Sequence, residues 1–161
     1  MTIILGIDPG SRVTGYGIIE SIKQTRNYVD SGCIRTTDTN LSQRLLQIFN
    51  GICELLDLYN PHEIAIEQVF MHQNPNSALK LGHARGVAMV ACATHRLNIS
   101  EYSPREIKQA VVGFGGAEKS QVKHMVMQLL RLSAAPQSDA SDALAVALCH
   151  SYRLNFSFLF I

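Results

Sequence analysis

The 161-residue chain has little charge: charged residues make up 17%, and 14 Lys and Arg stand against 13 Asp and Glu, a formal net charge of +1. Taken whole, that balance gives no hint of an acidic partner such as a nucleic acid. Long apolar runs are also missing. None approaches the roughly 20 residues of a membrane-spanning helix, so no membrane role is expected, although 47% hydrophobic content suffices for a core. The four cysteines, Cys33, Cys53, Cys92 and Cys149, never form a CxxC pair. Their spacing argues against zinc and a disulfide scaffold, and for reduced, buried thiols in a cytoplasmic protein. The start, Met1-Thr2-Ile3-Ile4-Leu5, has no basic leader, and export is not expected. The length favours a single domain, and no repeat or low-complexity linker divides it.

What is present is a regular alternation of elements. Strands are expected at 2–8, 13–20 and 26–35, with Pro9-Gly10-Ser11 as the first turn, which reads as an antiparallel meander. Asn40 then opens a helix whose apolar residues Leu41, Leu45, Ile48, Ile52 and Leu55 step by four and three, with Gln43 placed to complete a capping box. A short strand at 63–69 must run parallel to the first if that helix is its crossover. A helix over 75–97 follows, a strand at 98–102, and helices near 103–112, 118–132 and 137–152. The order βββαβαβααα describes an α/β fold, a five-stranded mixed sheet with helices on both faces. The helix at 75–97 carries an unusually small-residue surface: Gly82, Ala84, Gly86, Ala88, Ala91 and Ala93. That surface suits close approach by another helix, from a second subunit or from packing within the same chain.

The acids carry the first chemical signal. Asp8 ends the first strand and Glu67 lies near the end of the fourth; if those strands are parallel neighbours, both carboxylates emerge at one sheet edge. Asp139 and Asp142 share a helix face at i and i+3. Each has an ordinary explanation: Asp8 as a turn former before Pro-Gly, Glu67 as a solvated strand end, the aspartates as first-turn acids with Ser138 as cap. Together, four acids from three elements, in a chain with 13 in all, are more demanding. Hard divalent cations would relieve their repulsion, and a pair of Mg²⁺ ions could clamp the attacking and leaving oxygens of a phosphodiester. Mn²⁺ is expected to substitute.

Four blocks in combination make the chain specific: GIDPGSRVTGYG at 6–17, AIEQVFMHQNPNSALKLGHARG at 65–86, GGAEKSQVKHMV at 115–126 and SDASDALAVALCH at 138–150. Over roughly residues 1–150 the chain resembles the RuvC-type crossover junction endodeoxyribonucleases. The resemblance implies a ribonuclease-H-like nuclease domain over 1–152, a homodimer, Mg²⁺-dependent nicking of four-way DNA junctions to ligatable 5′-phosphate ends, and coupling to the RuvA–RuvB branch-migration complex. It places the family's acidic tetrad on Asp8, Glu67, Asp139 and Asp142.

Splitting the charge by segment alters the first impression. Residues 1–71 carry net −3, residues 72–131 net +5, and residues 132–161 net −1. Lys119 stands at a helix start, where a cation is disfavoured unless an anion binds, and Lys123 follows one turn later. Arg105 and Lys108 share a face of the preceding helix, and Lys80 and Arg85 lie on the long one. Singly these are solvated surface charges; around a metal centre they read as a DNA track. The resemblance assigns Lys108 and Lys119 to the active region and Phe70 to contact with an unpaired base, where stacking is worth roughly 1–3 kcal/mol. A non-catalytic junction-binding module is the alternative. An actin-like ATP-binding protein using the GIDPG loop would need two lobes. The apolar stretch 153–161 departs from the resemblance, and its structure is left open.

Overall fold

The computed structural model describes residues 1–69 and 75–157. Strands β1 (Thr2–Asp8), β2 (Val13–Ile22) and β3 (Thr25–Arg35) form the meander, followed by α1 (Leu41–Tyr59), β4 (Glu63–Glu67), α2 (Pro75–Thr94), β5 (Ile99–Tyr102), α3 (Pro104–Val112), α4 (Lys119–Leu129) and α5 (Ser138–Ser157). The sheet order is β3-β2-β1-β4-β5. The meander is antiparallel, while β1–β4 and β4–β5 are parallel, as crossover helices require.

Period-two alternation sorts the strands between two cores. Leu5, Ile7, Ile18, Ile64 and Ile66 pack with α1 and α2, whereas Ile4, Ile19 and Ala65 pack with α3, α4 and α5. Helix α5 is buried almost all round from Ala143 to Ser151, because it is sandwiched between the sheet and two further helices. It lies unusually close to the sheet. A Cβ on Gly6 would fall 2.2 Å from Ala143 O, and one on Gly15 would fall 2.0 Å from Asp139 O. Backbone contact at these glycines brings the first turn of α5 down onto the ends of β1 and β2.

Several boundaries differ from those expected, for local reasons. Strand β4 stops at Glu67 and α2 at Thr94. Gln43 does not close a capping box: Asn40 N–H donates to Asp38 Oδ1 at 2.8 Å, and the Asn40 side chain accepts from Ser42 N at 2.9 Å. Ser138 is the first residue of α5 rather than its cap, since Ser141 N–H reaches Gln137 O. The same helix runs past 152 to Ser157, and on it Arg153 Nη2 bonds Glu106 Oε1 at 3.0 Å. Residues 158–161 lie outside the described residues. All four cysteines are free; Cys92 and Cys149 are buried, but Cys33 and Cys53 are only half-buried. The small-residue surface of α2 divides: Ala84, Ala88, Ala91 and Cys92 are buried against α1 and the sheet, while Gly82, Gly86 and Ala93 face outward.

Candidate active site

Asp8 and Glu67 are neighbours because the parallel register pairs Ile7 with Ile66, one residue before each. Both lie on the α5 side of the sheet, in phase with Gly6 and Ala65, whose α5-side neighbours are noted above. The first turn of α5 supplies Asp139 and Asp142. All four carboxylates line one open cavity of about 440 Å³, together with Gly10, Gln68, Leu81, Lys108 and Lys119.

The electrostatics of this cavity are adverse to the acids alone. Burial, then the charges of Glu67, Asp142 and Asp139, push the Asp8 carboxyl up to about 8, against a smaller opposing effect of Lys119. Glu67 is likewise raised, by burial first and Asp142 second, with a hydrogen bond to Asp8 and the charges of Lys119 and Lys108 opposing. Lys119 Nζ donates to Asp142 Oδ2 at 2.9 Å. The Asp142 carboxylate is therefore the counter-charge that permits a cation at the start of α4, a pairing that depends on how α4 crosses α5.

The donor set fits a hard divalent cation. All four groups offer carboxylate oxygens, the ligand type that Mg²⁺ prefers, and a cation is what a site of mutually repelling acids calls for. Among the described residues no three His, Cys, Asp or Glu are arranged closely enough to hold an ion by themselves. Mg²⁺ bound there would complete its shell with waters and substrate phosphates.

The basic residues of the expected DNA track separate. Lys108, half-buried, and Lys119, exposed, stand at the cavity. Lys123 is half-buried one turn beyond Lys119 and does not line it, and Lys80 is exposed beside the cavity residue Leu81. Arg85 is taken up by an ion pair with Glu101 of β5. Arg105 is exposed, with its stem against Gly115, and lines a separate groove with Glu106 and Arg153. Phe70 lies outside the described residues. Sequence reasoning passed over Gly6 and Gly15, which set the height of α5; the signal was glycine recurring on one face of adjacent strands, a mark of close backbone approach.

Comparison with known proteins adds an independent line. The family model of the crossover junction endodeoxyribonuclease RuvC matches residues 4–150. A protein of that name from Legionella pneumophila strain Philadelphia 1 is 70% identical over 156 residues, spanning 96% of this chain and 90% of the relative. Another from Marinobacter nauticus is 59% identical over 152 residues, spanning 94% and 87%. The structure of T. thermophilus RuvC in complex with Holliday junction substrate superposes with a TM-score of 0.91 at 29% identity, covering 98% of this chain and 97% of that one. The fold expected from the sequence, α/β and ribonuclease-H-like, is the fold these proteins share.

Proposed function

Because the chain belongs to the RuvC family of crossover junction endodeoxyribonucleases, we propose that it resolves Holliday junctions in DNA recombination and repair. It is a structure-selective endonuclease that makes two symmetric nicks with ligatable 5′-phosphate ends. The observation that carries this reading is the meeting of Asp8, Glu67, Asp139 and Asp142 around one open cavity beside Lys108 and Lys119.

Asp8, Glu67, Asp139 and Asp142 would hold the two Mg²⁺ ions, or Mn²⁺ in their place, and the metal would supply Lewis-acid activation of water and stabilisation of the charge on the leaving oxygen. The chain's own part is positional. Parallel strand ends fix Asp8 and Glu67, the glycine contacts fix Asp139 and Asp142 against them, and Lys108 and Lys119 attract the phosphate backbone. Lys80, Arg85, Arg105 and Lys123 extend the DNA track, with Phe70 stacking on an unpaired base. For Arg85, that role requires exchanging Glu101 for phosphate.

A two-fold junction calls for a two-fold enzyme. The outward face of α2 supports a homodimer: Leu79 is 62% and Val90 56% exposed, and a Cβ on Gly82 or Gly86 would meet nothing within 4 Å. Among the described residues no helix is long and apolar enough to cross a membrane; we place the enzyme in the cytoplasm, working with the RuvA–RuvB complex as the family does. The test is a synthetic mobile four-way junction in Mg²⁺. The unmodified protein nicks it, Asp8→Asn binds without nicking, and full activity of Asp8→Asn would overturn the metal-centre reading.

A further inference from the structure

A second cavity, of about 270 Å³, opens beside the loop that follows Asp8. It is lined by Arg12, Thr36, Thr37, Asp38, Thr39 and Arg44. We propose that it is a phosphate site in which the guanidinium groups of Arg12 and Arg44 hold a DNA backbone phosphodiester flanking the one that faces the carboxylates. The proposal rests on the reading of the chain as a junction nuclease.

The two guanidinium groups outnumber the one carboxylate of the cavity, so the site keeps a net positive charge that a bound anion would neutralise. Among the described residues neither is in an ion pair. The one acid in the cavity, Asp38, accepts the Asn40 N–H through Oδ1 at 2.8 Å, at the start of α1. Arg44 uses Nε to bond Ser11 O at 3.3 Å, which leaves the terminal nitrogens of its fork uncommitted in the cavity that it lines. A planar fork of that kind matches phosphate oxygens two at a time.

The loop that presents Arg12 is itself held. Thr36 N–H donates to Arg12 O at 2.9 Å, and Thr36 Oγ1 donates to Ser11 O at 3.2 Å. Gly10 is obligatory there, since a Cβ would lie 2.0 Å from Val13 O. Gly10 lines the carboxylate cavity and Arg12, two residues on, lines this one. Arg12 follows Asp8 by four positions, at most about 14 Å of chain. A strand gripped at Arg12 is thereby held in fixed relation to the acidic centre, from the side of the β1–β2 loop instead of from α3 and α4. The site sits in the segment of net charge −3, so no count of charge along the sequence would find it.

The test is binding of a fluorescein-labelled four-way junction by anisotropy, between about 50 and 200 mM salt. Arg12→Gln should weaken binding roughly 5- to 20-fold and flatten the slope of log K against log salt by about 0.9, the loss of one phosphate contact. Arg12→Lys, keeping the charge and losing the fork, should restore the slope and only part of the affinity. Arg44→Gln, read only if its melting curve matches the unmodified protein, should repeat the effect of Arg12→Gln. Unchanged affinity and slope in Arg12→Gln would overturn the proposal, as would lost nicking with binding intact. If the unmodified protein binds the junction no better than linear duplex, the junction-nuclease reading fails instead.

Discussion

Strand β4 carries a glutamate at each end, both on the side that faces α5, and their surroundings are opposite. Glu63 accepts from buried His150, whose Nε2 lies 3.2 Å from Glu63 Oε2 and whose Nδ1 lies 2.8 Å from the Tyr102 hydroxyl. Glu67, four residues on, meets Asp8 and Asp142. One end is a closed hydrogen-bond chain that ties α5 to β4 and β5. The other is a set of like charges that the fold holds together at a cost. Polar groups of the first kind serve stability; crowded, mutually repelling groups of the second kind mark function.

The largest expected effect breaks the functional end alone. Asp8→Asn should reduce junction nicking by more than about 100-fold, the scale on which loss of one preorganised electrostatic partner is felt. In chelator the same variant should melt higher than the unmodified protein, because a carboxyl disfavoured by burial and by its acidic neighbours is gone. Nicking assays and thermal melts on one preparation check both halves.

Gly15→Ala attacks the height of α5. The new methyl would collide with Asp139 O, so the helix or the strand must shift, at a cost of roughly 1–3 kcal/mol or more. Urea denaturation should show the loss, and nicking should fall further than the residual folded fraction explains, since Asp139 moves with the helix.

The pH dependence separates the two ends. Asp8 is raised on folding from 3.8 to about 8, so its favourable contribution is complete below about 4 and is lost as pH rises through about 8. Glu67 acts in the same direction. His150 is lowered, mainly by burial, so its contribution is present above about 6.5 and is lost as pH falls. Between about 6.5 and 8.5 the acids dominate: the metal-free protein should lose stability as pH rises, and saturating Mg²⁺ should flatten the trend. Urea midpoints with and without Mg²⁺ test this directly.

The smallest effect lies at the structural end. Tyr102→Phe deletes the hydroxyl beside His150 Nδ1 and should cost about 1–2 kcal/mol in denaturant melts. The nicking rate per folded molecule should hardly change.

Much of this was legible in the sequence. Asp8 and Glu67 could be placed together because an apolar run, a turn and a helical crossover leave few topologies, and Asp139 and Asp142 share a face by helical period alone. What escaped depended on tertiary packing. The Lys119–Asp142 and Arg85–Glu101 pairs follow from how helices cross the sheet and each other. Asn40 caps α1, but its backbone N–H goes to Asp38, a residue outside the capping-box pattern, and not to Gln43. The seat of α5 needed the backbone distances at Gly6 and Gly15.

The most direct measurement is cleavage of a synthetic mobile four-way junction against linear duplex of the same sequence, with Mg²⁺ or with chelator. Symmetric nicks in the junction alone, present in Mg²⁺ and absent in chelator, are the predicted result. Equal cleavage of both substrates, or nicking that survives chelation, would contradict the account.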